Sequence, residues 1–455
     1  MTHRIHATAS RRGDARLNHQ ATSRLLRRPG AGHFCARGPA ADVVIVGGGI
    51  AGSALATVLA RNGQSVTVLE QQRTYTDRVR GEFMAPWGVA TAQRLGLLHA
   101  LAAAGGVFPR WSIKYDETIS PAHAEAAKVD QSTLLPGVAG PLCMHQPLAC
   151  EVLNQQAQQA GARVVRGVDH VRIQAGREPM VRYRLDGRDV ELRCRLIIGA
   201  DGRSSTVRQQ ACIQLHHAEE TNLVVGLLVD GAADWPQDTY ALGTEGDRMY
   251  LIFPQGGDRV RLYLCISPQQ RARFAGPDGP ARFLDSFQLQ CVPGSAMLAH
   301  ARPIGPCATW SGEDTWTDAP LAEGVVLIGD AAGYNGPIVG QGLSLSLRDV
   351  EVVSDLLLRH EDWSPATFQP YVQERWERMR RVRFSAALYS DLFCAFGPEG
   401  AQRRGAFFGR MASRQEPTMN WVVAPIVIGP DKLPPDAYSE EFRQDVLSSG
   451  TLVSA

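Results

Sequence analysis

The stretch "ADVVIVGGGIAGSALATVLARNGQSVTVLEQ", from Ala41 to Gln71, constrains the chain most. It reads as a β-branched strand over 42–46, a glycine-rich turn, a helix from Ile50 to about Arg61, and a second strand over 65–69. Gly47-Gly48-Gly49-Ile50-Ala51-Gly52 forms a G-x-G-x-x-G between the strand and the helix. Each glycine has a reason to be there. Gly47 permits the tight turn, Gly49 lets a pyrophosphate approach the backbone at the helix N-terminus, and Gly52 lets helix and strand pack closely. Glu70 ends the second strand, where a carboxylate can accept from a ribose hydroxyl. Gly47, Gly49, Ala51, Gly52 and Glu70 are therefore candidate contacts to a dinucleotide. The fingerprint alone does not distinguish FAD from NAD.

Two later motifs extend the pattern. "IIGADGRSSTVR" places Asp201-Gly202 after an apolar strand, with Ser205 and Arg208 at a helix start. "GVVLIGDAAGYNGPIVGQGLSLSLRDV" places Asp330 after a strand over 325–328. A loop with Pro337, Gly340 and Gly342 follows, then an amphipathic helix. A carboxylate at Asp330 can hold a sugar-like hydroxyl. Pro337 stiffens the loop, and Gly340 and Gly342 bare backbone N–H groups where the helix end carries partial positive charge. Such a loop suits an anion, including a reduced flavin ring.

Composition narrows the classes. The net charge is +1, with eight arginines and one acid in the first forty residues, so the rest of the chain is mildly acidic and has no broad footprint for nucleic acid. Residues 1–40 are expected to be a disordered basic extension. No apolar run is long enough to span a membrane. Nine cysteines without C-x-x-C pairs read as buried, reduced thiols in a cytoplasmic setting, and no metal site is expected.

In this order and spacing, the three motifs resemble the single-component flavoprotein monooxygenases of the aromatic hydroxylase type, with squalene epoxidases and flavin halogenases as relatives. The resemblance implies FAD lying across all three motifs. Its pyrophosphate would lie at Gly47–Gly52, its adenosine ribose at Glu70 and its ribityl chain at Asp330. The isoalloxazine would lie beside Pro337, Gly340, Gly342 and Leu343, with Asp201 and Gly202 as further contacts. "DRVRGEFMAPWG" looks like the family loop along the cofactor, making Arg80 a candidate contact. The family often has an arginine in the helix corresponding to "HQPLACEVLNQQA"; none stands here, and Gln146 is the substitute. The implied reaction is NAD(P)H reduction of FAD, oxygen addition at flavin C4a and transfer of one oxygen atom to a small, apolar organic substrate. Tyr334, Pro337 and Gly340 are the catalytic candidates, and His145 is read as structural.

The expected fold is α/β. A Rossmann-like FAD-binding domain is built from discontinuous segments (41–218 and 320–360), with an irregular insertion at 120–139. A mainly antiparallel substrate domain occupies 219–310, and a helical region occupies 361–455. Arg259, Tyr263, Phe253 and Trp310 fall in the middle sheet, where ordinary packing is the preferred reading over pocket lining. A reductase of isoprenoid double bonds would use the same scaffold. A halogenase would need a positioned lysine, for which Lys114 is a lone candidate, and a W-x-W-x-I-P motif, which is absent. A non-catalytic flavin-binding protein ranks lowest. A homodimer and a separate flavin reductase both remain open.

Overall fold

The computed structural model describes residues 36–37, 41–79, 81–413 and 415–448. Two sheets organise it. In the nine-stranded first sheet, a parallel core runs in the order Val325–Leu327, Arg188–Gly199, Ala41–Val46, Val66–Glu70, Arg163–Arg166. These strands are apolar runs because both faces are covered. Val43, Val44, Ile45, Val68, Ile197 and Ile198 are all fully buried. The helix Ile50–Arg61 packs on one face through Ala54, Leu55 and Leu59, beside the helix Gly342–Arg359.

A hairpin turns at Asp186-Gly187, and its second strand does not stop at the pairing. Arg188–Gly199 is one twelve-residue strand that pairs with Met180–Leu185 and then continues into the parallel core. The strand ends directly at Ala200-Asp201-Gly202, so the hairpin and the second motif share one rigid element.

The second sheet has eight strands, six of them in the order Leu223–Asp230, Val260–Ile266, Arg248–Pro254, Thr239–Glu245, Trp111–Lys114, Val129–Asp130. Pairing is antiparallel except between Thr239–Glu245 and Trp111–Lys114, which run parallel. The expected irregular insertion at 120–139 is thus corrected. Pro121–Ala126 is a helix capped by Ser120, and Val129–Asp130 extends this sheet. Pro at the first helical position and a serine cap are sufficient local signals for the helix. The strand pairing is long-range and has no local signature.

Ala36–Arg37, inside the span expected to be disordered, is a short strand parallel to Arg188–Gly199. The remainder of residues 1–40, apart from Ala36 and Arg37, lies outside the described residues. Beyond residue 360 the chain is helical, led by Gln369–Phe393 and Pro398–Ser413. Among the described residues no helix is long and apolar enough to cross a membrane.

Candidate functional site

The glycine turn is shaped by contacts a side chain would destroy. Gly47 has φ +105°, and a Cβ there would stand 2.3 Å from the Ala200 carbonyl oxygen. A Cβ on Gly52 would stand 1.9 Å from the Gly47 carbonyl oxygen. Gly49 differs, because a Cβ would meet nothing within 4 Å, so its backbone opens onto the cavity. The turn is also tied from outside. The Gly48 amide donates to Glu70 Oε2 at 2.7 Å, and the Gln72 amide donates to Glu70 Oε1 at 2.7 Å. The Gly48 carbonyl accepts from Ser53 Oγ, Tyr75 and Asn154 Nδ2 at 2.8, 2.5 and 2.7 Å. Burial, then the Glu70 charge, push the Tyr75 phenol far up, so it stays a neutral donor.

The third motif is clamped from behind by the helices Gly342–Arg359 and Gln369–Phe393. Asp349 Oδ2 accepts from the Gly329 amide at 2.8 Å. Arg375 Nη2 donates to the Gly329 and Gly333 carbonyls at 3.1 and 2.8 Å, and Arg378 pairs with Asp349 at 2.7 Å. All three side chains are buried. The loop around Asp330 is thus held by two arginines that share one carboxylate. Ahead of it, Gly340 adopts φ +63°, and Gln341 is locked by Trp87 Nε1 at 2.8 Å. Gly342, the first helical residue, has open space where a Cβ would stand. Asp330 faces Arg203 at 3.4 Å. Arg208 donates to the Ala331 carbonyl at 3.0 Å, linking the second motif to the third.

One cavity of about 1370 Å³ joins these parts. It touches Gly47, Gly49 and Glu70 at one end and Asp330, Pro337 and Gly342 further along. It then reaches the second sheet at Leu242, Leu251 and Phe253 and the C-terminal region at Ile426. A single drug-sized ligand occupies roughly 300–1,000 Å³, so the space exceeds one such molecule. The open backbones of Gly49 and Gly342, each at a helix N-terminus, fit a long ligand carrying negative charge.

At the join between the sheets lies a buried ion cluster. Arg261 is fully buried and pairs with Asp77 at 2.6 Å and Glu82 at 2.5 Å, and the Tyr263 hydroxyl donates to Glu82 at 2.6 Å. Burial pushes the Glu82 carboxyl up, against the pull of Arg261 and Tyr263. Burial also opposes ionisation of Asp77. There the His145 hydrogen bond and the Arg261 charge win, and the carboxyl sits below the usual range. Asp77, Glu82 and His145 lie close enough to one another to hold a metal ion. Arg261 already occupies the two carboxylates, which argues against a cation there.

The cavity lining gathers Gly47, Gly49, Ala51, Glu70, Gln146, Asp201, Gly202, Asp330, Pro337, Gly340, Gly342 and Leu343. Gly52 stands one layer back, against Gly47 and Ile45. Gln146 and Leu343 flank the left-handed Gly81. Arg80, beside it, lies outside the described residues. The Asp201 carboxylate is committed to its own helix, accepting from the Thr206 and Val207 amides at 2.7 and 3.1 Å. Tyr334 is turned out of the cavity. Its hydroxyl donates to Glu313 at 2.7 Å, its ring lies under Arg203, and burial with the Glu313 charge pushes its phenol up. Phe253, Tyr263 and Trp310 line the cavity and Arg259 does not, against the expectation that all four only pack. Tyr75, Asn154 and Arg375, which brace the glycine turn and the third motif, were not singled out by the sequence. Their placement rests on pairings across tens to hundreds of residues, which leave no local pattern.

Residues 40–384 match the FAD binding domain family, and the chain belongs to it. It is an FAD-binding protein. It is 24% identical over 386 residues to squalene monooxygenase of Rattus norvegicus, covering 81% of this chain and 64% of that protein. The chain thus spans under two thirds of the length of that relative. It is 28% identical over 366 residues to 3-demethoxyubiquinol 3-hydroxylase of Escherichia coli (strain K12), covering 78% of this chain and 89% of that protein. Among solved structures, p-nitrophenol 4-monooxygenase PnpA from Pseudomonas putida DLL-E4 superposes with a TM-score of 0.70 at 19% identity. The match covers 84% of this chain and 96% of that one, and it shows a shared fold.

Proposed function

We propose that the protein inserts one oxygen atom from O2 into an aromatic or polycyclic, unsaturated organic substrate, with NAD(P)H as transient reductant. The observation that carries this reading is the single cavity joining the glycine cradle, the Pro337–Leu343 loop and the apolar face of the second sheet. A purely structural flavin site needs the first of these and not the last.

In this reading the Gly47–Gly52 turn and its helix N-terminus hold the FAD pyrophosphate, Glu70 the adenosine ribose, and Asp330 with Arg203 the ribityl chain. Pro337, Gly340, Gly342 and Leu343 border the ring. When bound, FAD supplies the electron transfer and the activation of O2. The chain's own contribution is electrostatic and steric. The N-terminus of Gly342–Arg359 offers partial positive charge to a negative charge placed against it. The wall of Leu242, Leu251, Phe253 and Ile426 excludes water and seats the substrate. The sheet built around residues 219–310 is therefore the substrate side, and residues after 361 close it. Buried, unpaired thiols such as Cys143, Cys150 and Cys265 suit a reducing cytoplasm.

The test is product analysis under isotopically labelled O2 with NAD(P)H and a panel of phenolic and polycyclic compounds. One labelled oxygen in the product is expected. A reduced product without label would favour the double-bond reductase reading instead. A second reading, halogenation, is favoured by one observation, the presence of Lys114 on the cavity wall. It predicts a product that appears only with added chloride or bromide.

A further inference from the structure

Residues 112 and 114 alternate with Ile113 along the strand Trp111–Lys114. Ile113 packs into the core on the far side of the sheet, and Ser112 and Lys114 face the cavity. The register places Tyr240 beside Ser112 and Leu242 beside Lys114, and both also line the cavity. On the other side, the antiparallel partner Val129–Asp130 leads into Gln131, whose amide N–H donates to the Arg110 carbonyl at 2.7 Å. Gln131, Ser112 and Lys114 therefore line one face of the cavity as a polar stripe, Ser112 and Lys114 about 7 Å apart along their strand and Gln131 on the neighbouring segment.

The stripe is unpaired in two places. The Lys114 side chain has no ion pair and no hydrogen bond among the described residues. Gln131 is 2% exposed, lines the cavity, and leaves its Oε1 buried without a partner. An uncompensated buried amide and a half-buried unpaired ammonium each carry a desolvation cost, and a ligand can relieve both. Burial alone draws the Lys114 ammonium down to about 8, with no charged side chain contributing. Tyr240 keeps its proton, because burial pushes its phenol up, and its hydroxyl interacts with Ser112. The neighbouring surface is apolar, formed by Leu242, Leu251 and Phe253.

We infer that this stripe is the recognition site for an anionic oxygen on the substrate, a carboxylate, phenolate or enolate carried by an apolar ring system. Lys114 is its counter-ion, and Gln131 Oε1, with Ser112 and Tyr240 beside it, accepts from a hydroxyl further along the same molecule. The inference rests on the cavity being the substrate site proposed above and adds the substrate's charge.

The experiment titrates the FAD-loaded protein with benzoate, 2-naphthoate and 2-anthracenecarboxylate, and with their neutral amides. Flavin difference absorbance is followed at neutral pH. At least one acid is expected to bind roughly tenfold or more tightly than its amide. Lys114→Met should abolish that preference, Lys114→Arg should keep most of it, and FAD affinity should stay the same in both variants. Equal binding of acids and amides, or failure of all three acids to bind, overturns the inference. So does a preference that survives in Lys114→Met. Loss of FAD affinity in Lys114→Met would assign the lysine to the cofactor and also overturn it. A protein that takes up no FAD, yet quenches its tryptophan fluorescence with the acids through Lys114, would keep the anion site and sink the cofactor reading.

Discussion

Gly52 sits where no side chain can, because its Cβ would be 1.9 Å from the Gly47 carbonyl oxygen. Gly52→Ala must push the helix off the strand, so a loss of about 1–3 kcal/mol is expected by thermal unfolding, with FAD content falling in parallel. Asp77 carries a different kind of constraint. Its folded carboxyl lies below its ordinary value of 3.8, so its contribution is fully present above that value and is lost as the pH falls below it. Glu82 has the opposite sign. Its raised carboxyl favours the folded state only in acid and loses that contribution as the pH rises. Asp77→Asn should therefore cost about 1–3 kcal/mol at neutral pH and flatten the acid limb. Urea midpoints measured from about pH 6 to about pH 3 check this, and an unchanged acid limb would remove Asp77 from the account.

At the scale of elements, the loop after the strand Val325–Leu327 has little regular structure of its own. Its backbone is satisfied by the helix Gln369–Phe393, through Arg375, and by Asp349. Arg375→Met would leave Asp349 facing Arg378 alone and two carbonyls without their donor. A destabilisation of about 3–5 kcal/mol is expected, together with weaker FAD retention, seen as flavin fluorescence released at lower urea. Were the flavin retained at wild-type urea concentrations, the clamp would have no bearing on the cofactor loop.

The whole molecule makes one cavity out of two sheets and a helical region. Ile426 lines the cavity from the helical region, where its carbonyl accepts from Gln341 Nε2 at 3.2 Å beside the Pro337–Leu343 loop, so filling space there tests which ligand this region serves. Ile426→Trp is expected to leave FAD stoichiometry unchanged and to lower kcat/KM for the substrate by about tenfold or more. A loss of FAD in this variant would mean that the C-terminal region serves the cofactor and not the substrate.

Local chemistry carried much of this protein in plain view. The strand Ala41–Val46, the helix Ile50–Arg61 and Glu70 are legible because strand periodicity, glycine geometry and a fixed connection length act within thirty residues. The left-handed Gly340, ahead of the helix Gly342–Arg359, is legible for the same reason. What the tertiary structure alone decided is which distant side chains serve those motifs. Asn154 reaches the Gly48 carbonyl across 106 residues, Arg261 meets Asp77 across 184, and Tyr334 turns from the cavity to Glu313. Lys114 becomes a cavity residue through its strand's pairing with Thr239–Glu245. The physical reason is shared: a buried charge or donor is placed by whichever partner the fold brings to it, and that partner need not be near in the chain.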